Sequence, residues 1–185
     1  MEVRIGQVAA AETYELRHRV LRPHQTLDEM AFPGDRDPGT VTLAARADTS
    51  TAIIGAATLV REPPPWSSAG RPGLDPVGPD ALPDLPARAR EAAAAGRPAA
   101  WRLRAMATAS DLRGQGVGRR VLDAALDHVA THGGGLLWCA ARVRAVPFYE
   151  RAGLACIGPS FEEPSIGPHV LMWTVVDGRS GSPVS

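Results

Sequence analysis

The most restrictive feature of this 185-residue chain is the run WRLRAMATASDLRGQGVGRR at residues 101–120. It opens as a strand, turns through glycines at 114, 116 and 118, and passes into the helical pattern VGRRVLDAALDHVATHG. Within that pattern Val117, Val121, Ala125 and Val129 recur at i+4, and Leu122 and Leu126 widen the apolar stripe. Arg119, Arg120, Asp123 and Asp127 take the other faces. A strand feeding a helix through a tight turn predicts an α/β fold, with parallel pairing where helices cross over.

The remaining runs fit such a sheet. VRIGQV (3–8) reads as a first strand, and AAETYELRHRVL as a helix that Pro23 stops. Residues 23–40 are turn formers and charges, with room for a short helix over 26–30. VTLAARA and AIIGAATLV predict an antiparallel pair. LLWCAA predicts a buried strand, RAVPFYERAG a helix closed by Gly153, and LACIG and HVLMWTVV a last antiparallel pair. The expected domain is single and spans 1–176, with DGRSGSPVS (177–185) as a disordered tail. Residues 61–100 interrupt it as an insertion dense in Pro, Ala and Gly, where only ARAREAAAAG has a helical pattern. A loop and a wall over a substrate site are both open readings, with Trp66 the residue expected to pack.

Composition excludes several chemistries. Twenty basic residues balance twenty acidic ones, so no nucleic-acid-binding surface is expected. All the basic residues are arginine, which leaves no Schiff-base lysine and no P-loop lysine. Cys139 and Cys156 sit in apolar runs without metal-ligand spacing; both are expected reduced in the core, and no metal site is expected. MEVRIGQVAA has no signal-peptide core, and no run of about 18 apolar residues exists. A cytoplasmic protein with no membrane segment is the expectation.

Glycines between a strand and a helix N-terminus have a specific use. They allow positive φ, and they let an anion approach backbone N–H groups without a Cβ in the way. Arg113 adds charge-assisted donors at the mouth of such a turn. The spacing is not that of a dinucleotide fingerprint, and no acidic residue follows at the distance that binds a ribose.

Arg113-Gly114-Gln115-Gly116-Val117-Gly118 resembles the R/Q-x-x-G-x-G/A acyl-CoA signature of the GNAT N-acyltransferase superfamily, and FYERAGL downstream resembles its tyrosine-bearing helix. The resemblance covers 101–176 well and 3–60 loosely. SFEEPSIGPHVLMW is similar to a poorly characterised bacterial branch with a Gly-Ile-Pro-His-like stretch before its last strand. The resemblance implies a GNAT-like mixed central sheet of about six to seven strands. Helices would cover both faces, with a V-shaped splay between the two central parallel strands.

It also implies a reaction: transfer of an acetyl group from acetyl-CoA to a primary amine by direct attack, through a tetrahedral intermediate. N–H groups from Gln115 to Arg119 would hold the pyrophosphate of coenzyme A. Met106, Ala107 and Thr108 would bind the pantetheine arm, and an N–H near Met106 or Ala107 would polarise the thioester carbonyl. Tyr149 would give the departing thiolate its proton, with Phe148 in the core. Where relatives often place a glutamate, this strand alternates Arg102, Arg104, Met106 and Thr108 on one face. The two arginines bind an anionic acceptor or pair with Glu162 or Glu163; both readings stay open. His169 is the candidate base, beside a structural role or a water-mediated path. Ala140 stands where many relatives have Asn, which removes one contact. A small-molecule amine is the favoured acceptor. A protein amino group and a non-catalytic acyl-CoA-binding domain are the rivals, and the chain is expected as a monomer or homodimer.

Overall fold

Alternating apolar residues and short connections order the chain into one sheet. The computed structural model describes residues 2–48, 50–66 and 100–179. Its strands are β1 (Val3–Val8), β2 (Val41–Ala47), β3 (Ile53–Arg61), β4 (Ala100–Thr108), β5 (Gly135–Arg142), β6 (Ala155–Glu163) and β7 (Gly167–Val176). They form a seven-stranded mixed sheet in the order β1-β2-β3-β4-β5-β7-β6. The helices are α1 (Tyr14–Leu21), α2 (Val117–Thr131) and α3 (Val146–Glu150). Two compact units result: Met1–Val60 with Leu103–Ala125, and Arg61–Arg102 with Leu126–Ser185.

In the first unit β2 pairs antiparallel with β3, as the hairpin pattern predicts, and also with β1. Leu16 of α1 packs against Ala56, Ala107 and Ala109, flanked by Val20, Ile54 and Leu112. The apolar stripe of α2 is buried here at Val117, Val121, Leu122 and Ala125. Burial of each large aliphatic side chain contributes about 1.5–3 kcal/mol, which holds α2 on the sheet. Gly55 permits the approach: a Cβ there would lie 2.9 Å from Val117 and 3.2 Å from Val121.

In the second unit β5 runs parallel to β4 from Ala100↔Leu136 to Arg102↔Trp138, and antiparallel to β7 from Gly135↔Val176 to Arg142↔His169. β4 itself continues to Thr108 through Ala105, whose φ of 52° interrupts the extended backbone. Leu136, Trp138, Leu171 and Ile157 form an apolar cluster, and Trp66 sits in it as expected, 3% exposed. Its ring meets Trp138 edge-on at 6.2 Å.

Several expectations change. β6 is longer than LACIG and runs on through Glu163, with an irregularity between Ile157 and Phe161 that absorbs Pro159. Cys139 is buried but Cys156 is exposed, because it lies on the solvent side of that edge strand. The start of the expected tail is held: the Arg179 N–H donates to the Ala130 carbonyl at 2.8 Å. The insertion beyond Trp66, with ARAREAAAAG, and the tail from 180 lie outside the described residues.

Candidate active site

The glycine stretch folds as a 3-10 turn, Ser110–Leu112, followed by a tight turn into α2. The Arg120 N–H closes the first helical turn on the Gly116 carbonyl at 3.1 Å. Val117 and Gly118 therefore precede the first i→i−4 bond, where helix N–H groups have no intrahelical acceptor and the dipole favours an anion. Gly114 and Gly116 have φ of 78° and 82°, and nothing lies within 4 Å of where a Cβ would stand on either. Positive φ, open space and a helix N-terminus together fit a phosphate group. Gln115 differs from its expected role, since its N–H already donates to Leu112 O at 3.3 Å and its side chain to Asp111 O at 3.2 Å. Arg113 is exposed at the mouth, and Arg119 pairs with Asp123 at 2.8 Å along the helix surface.

The arginines of β4 are both engaged by carboxylates, but not those expected. Arg102 pairs with Glu62 at 3.1 Å, and Arg104 with Asp35 at 2.8 Å. Glu162 and Glu163 instead follow the β6 edge, paired in register with Pro168 and Gly167. Asp35 also binds the fully buried Arg17 of α1, which donates further to the Met30 carbonyl at 3.1 Å and to Thr58 Oγ1 at 2.8 Å. Neither Asp35 nor Arg17 was singled out from the sequence. Asp35 sits in GDRDPG, which carries only turn signals, and its partners come from distant segments. Past Arg104 and the left-handed Ala105, Met106 and Thr108 are half-buried and Ala107 is buried. The strand end is fixed by the Ala109 N–H donating to Ile54 O at 2.9 Å.

The second unit holds Arg102, Tyr149 and His169. Tyr149 is 6% exposed, and Phe148, expected in the core, is half-buried. α3 follows a 3-10 turn, Val143–Ala145, which shifts the faces that its residues present. Burial first, and then Cys139, raise the Tyr149 hydroxyl well above the ordinary phenol range. Burial likewise pushes the Cys139 thiol up to about 12, with Arg102 pulling the other way. His169 is 5% exposed, with Nδ1 2.7 Å from the Gly167 carbonyl and its ring tilted against Phe161. A proton on Nδ1 satisfies that carbonyl and leaves the lone pair on Nε2, the tautomer a general base requires. No group of three or more metal-binding side chains occurs among the described residues, and no helix there is long and apolar enough to cross a membrane.

Residues 91–172 match the family model described as Acetyltransferase (GNAT) domain. The chain is 27% identical over 169 residues to the uncharacterized N-acetyltransferase YitI of Bacillus subtilis, covering 91% of this chain and 93% of that protein. The ribosomal-protein-S18-alanine N-acetyltransferase of Escherichia coli has a similar fold at a TM-score of 0.63 and 14% identity, over 98% of both chains. An aminoglycoside 6'-N-acetyltransferase complexed with coenzyme A superposes at a TM-score of 0.59 and 12% identity, over 96% of this chain and 99% of that one.

Proposed function

We propose that this chain, an acyltransferase carrying a GNAT acetyltransferase domain, moves an acetyl group from acetyl-CoA to the primary amine of a small molecule. The observation that carries the donor assignment is the turn at Gly114 and Gly116, whose positive φ and open Cβ positions lead into the N-terminus of α2. The thioester supplies an activated acetyl group when acetyl-CoA is bound.

The chain's own residues do the rest. Gly116, Val117 and Gly118 offer N–H groups and the helix dipole to the pyrophosphate, with Arg113 at the mouth and Gly114, Gln115 and Arg119 shaping the turn. Met106, Ala107 and Thr108, which follow the left-handed Ala105, would hold the pantetheine arm, and a backbone N–H among them would polarise the thioester carbonyl. Tyr149 keeps its proton throughout the physiological range, as a donor to the departing sulfur must. His169 Nε2 accepts the proton of the amine. Arg102 is tied to Glu62, which makes it a support for the strand start.

The test is release of free CoA from acetyl-CoA with a panel of small amines and amine-bearing peptides, beside calorimetric titration with acetyl-CoA. Turnover on small amines supports the reading. Turnover on peptides alone moves the acceptor to protein. Tight binding without turnover on any amine overturns it.

A further inference from the structure

Ala105 is a strained residue in the middle of β4. Its φ of 52° lies in the left-handed region, where a Cβ crowds the following carbonyl oxygen. Such a conformation persists only where the surrounding structure holds the residues on both sides of it. Leu103 before Ala105, and Ala107 and Ala109 after it, are buried.

On the C-terminal side the hold is packing. Ala107 and Ala109 cluster with Leu16 of α1, and the Ala109 N–H donates to the Ile54 carbonyl at 2.9 Å. On the N-terminal side it is an ion pair. Arg104 Nη2 donates to Asp35 Oδ1 at 2.8 Å, with side chains 11% and 2% exposed. Asp35 is itself fixed, since its other oxygen receives Arg17 and the Phe32 N–H. Arg17 is fully buried and donates to the Met30 carbonyl and to Thr58 Oγ1. Both flanks of Ala105 therefore rest on neighbouring residues of α1: Leu16 by contact, and Arg17 through Asp35. The exposed Asp37 also lies near Arg104, so two carboxylates face two guanidinium groups and the corner is balanced in charge.

We propose that Asp35 and Arg104 are positioning residues for acyl transfer: their ion pair holds Ala105 left-handed and so sets where Met106, Ala107 and Thr108 stand beside the thioester. The proposal rests on the acyl-transfer reading and adds to it two side chains that act through the backbone. Without the pair Ala105 relaxes to negative φ, and the residues after it move. A displacement of about 1 Å at a reacting centre lowers the rate by about a hundredfold.

The experiment uses Arg104→Gln, which leaves Arg17 paired with Asp35. CoA release is assayed well below the variant's Tm, with the amine that the wild type turns over fastest. The expected result is a fall in kcat of about ten- to a hundredfold. The Kd for acetyl-CoA should change far less, because the glycine turn that receives the pyrophosphate is untouched. NMR shifts and couplings of Ala105 should report positive φ in the wild type and its loss in the variant. Adding Asp35→Asn to Arg104→Gln should lower kcat no further, since both residues act through one pair. Wild-type kcat in Arg104→Gln, or an Ala105 that keeps its positive φ there, overturns the proposal and leaves acyl transfer standing. A wild type that turns over no amine is a different failure. It removes the acyl-transfer reading, and the Ala105 torsion in Arg104→Gln then decides by itself whether the pair holds the strand. Asp35→Asn alone, nearly the same shape without the charge, is measured in the same way and keeps the test valid should Arg104→Gln fail to fold.

Discussion

Gly55 of β3 and Val117 of α2 approach so closely that a Cβ on Gly55 would stand 2.9 Å from Val117 Cγ1. Val117 is the first residue of α2, so this contact sets the depth at which the helix N-terminus meets the sheet. Gly55→Ala is expected to cost about 1–3 kcal/mol of stability by overpacking. It should also weaken acetyl-CoA binding, because the turn moves with the helix. Denaturant unfolding and calorimetry read the two effects, and unchanged values for both would show that α2 shifts freely.

Gly116→Val is expected to abolish acetyl-CoA binding while the fold persists. At φ 82° a β-branched residue is strained, and its side chain fills the space left open at the turn. Titration calorimetry with circular dichroism separates lost binding from unfolding. Affinity equal to wild type would remove the glycine turn from the donor site.

Tyr149→Phe tests the proton-donor role proposed for this phenol. Loss of a positioned acid lowers kcat by about 10²–10⁴-fold, with little change in KM for acetyl-CoA. The Tyr149 proton is retained well above the ordinary phenol range, so the wild-type rate should show no fall caused by phenol ionisation up to pH 9. A variant as fast as wild type would assign the proton to water.

Asp35→Asn leaves Arg17 and Arg104 with a neutral partner in a buried setting. Breaking a buried pair of this kind costs about 3–5 kcal/mol. A Tm loss of several degrees is expected, and a stability within experimental error of wild type would show that water reaches the cluster.

His128 gives a pH dependence of known sign. Burial first, then His132 stacked on it at 3.9 Å, then Arg61, hold its pKa below the usual 6.5. Folding therefore favours the neutral ring, and stability falls as pH drops below 6.5 towards the lower folded value. Thermal melts from pH 8 to 5 should show this loss in the wild type and a smaller one in His128→Gln.

The elements with a clear period were legible in the amino-acid sequence. β1 and α2 lie where alternation and the four-residue stripe put them, because one buried face imposes that pattern. The glycine turn was legible for the same local reason. The extension of β6 was not, since Pro159 and two acidic residues read as a loop end and only pairing with β7 makes them strand. The arginine partners were out of reach too. Arg102 meets a carboxylate 40 residues away and Arg104 one 69 residues away, separations that local spacing does not encode. The half-burial of Phe148 was not legible either, because a 3-10 turn ahead of α3 changes the angular step between residues.

The ends of the insertion have their own consequence. The Glu62 N–H donates to the Ala100 carbonyl at 3.2 Å, and the Glu62 carbonyl accepts from Trp138 Nε1 at 2.9 Å. The excursion from β3 to β4 thus leaves and returns through one hydrogen-bonded gate, and Trp66 pins its first residues to the second unit. The end of β3 and the first residue of β4 are therefore clamped to each other and to β5, so a change that removes the Trp138 indole N–H loosens both strand ends at once.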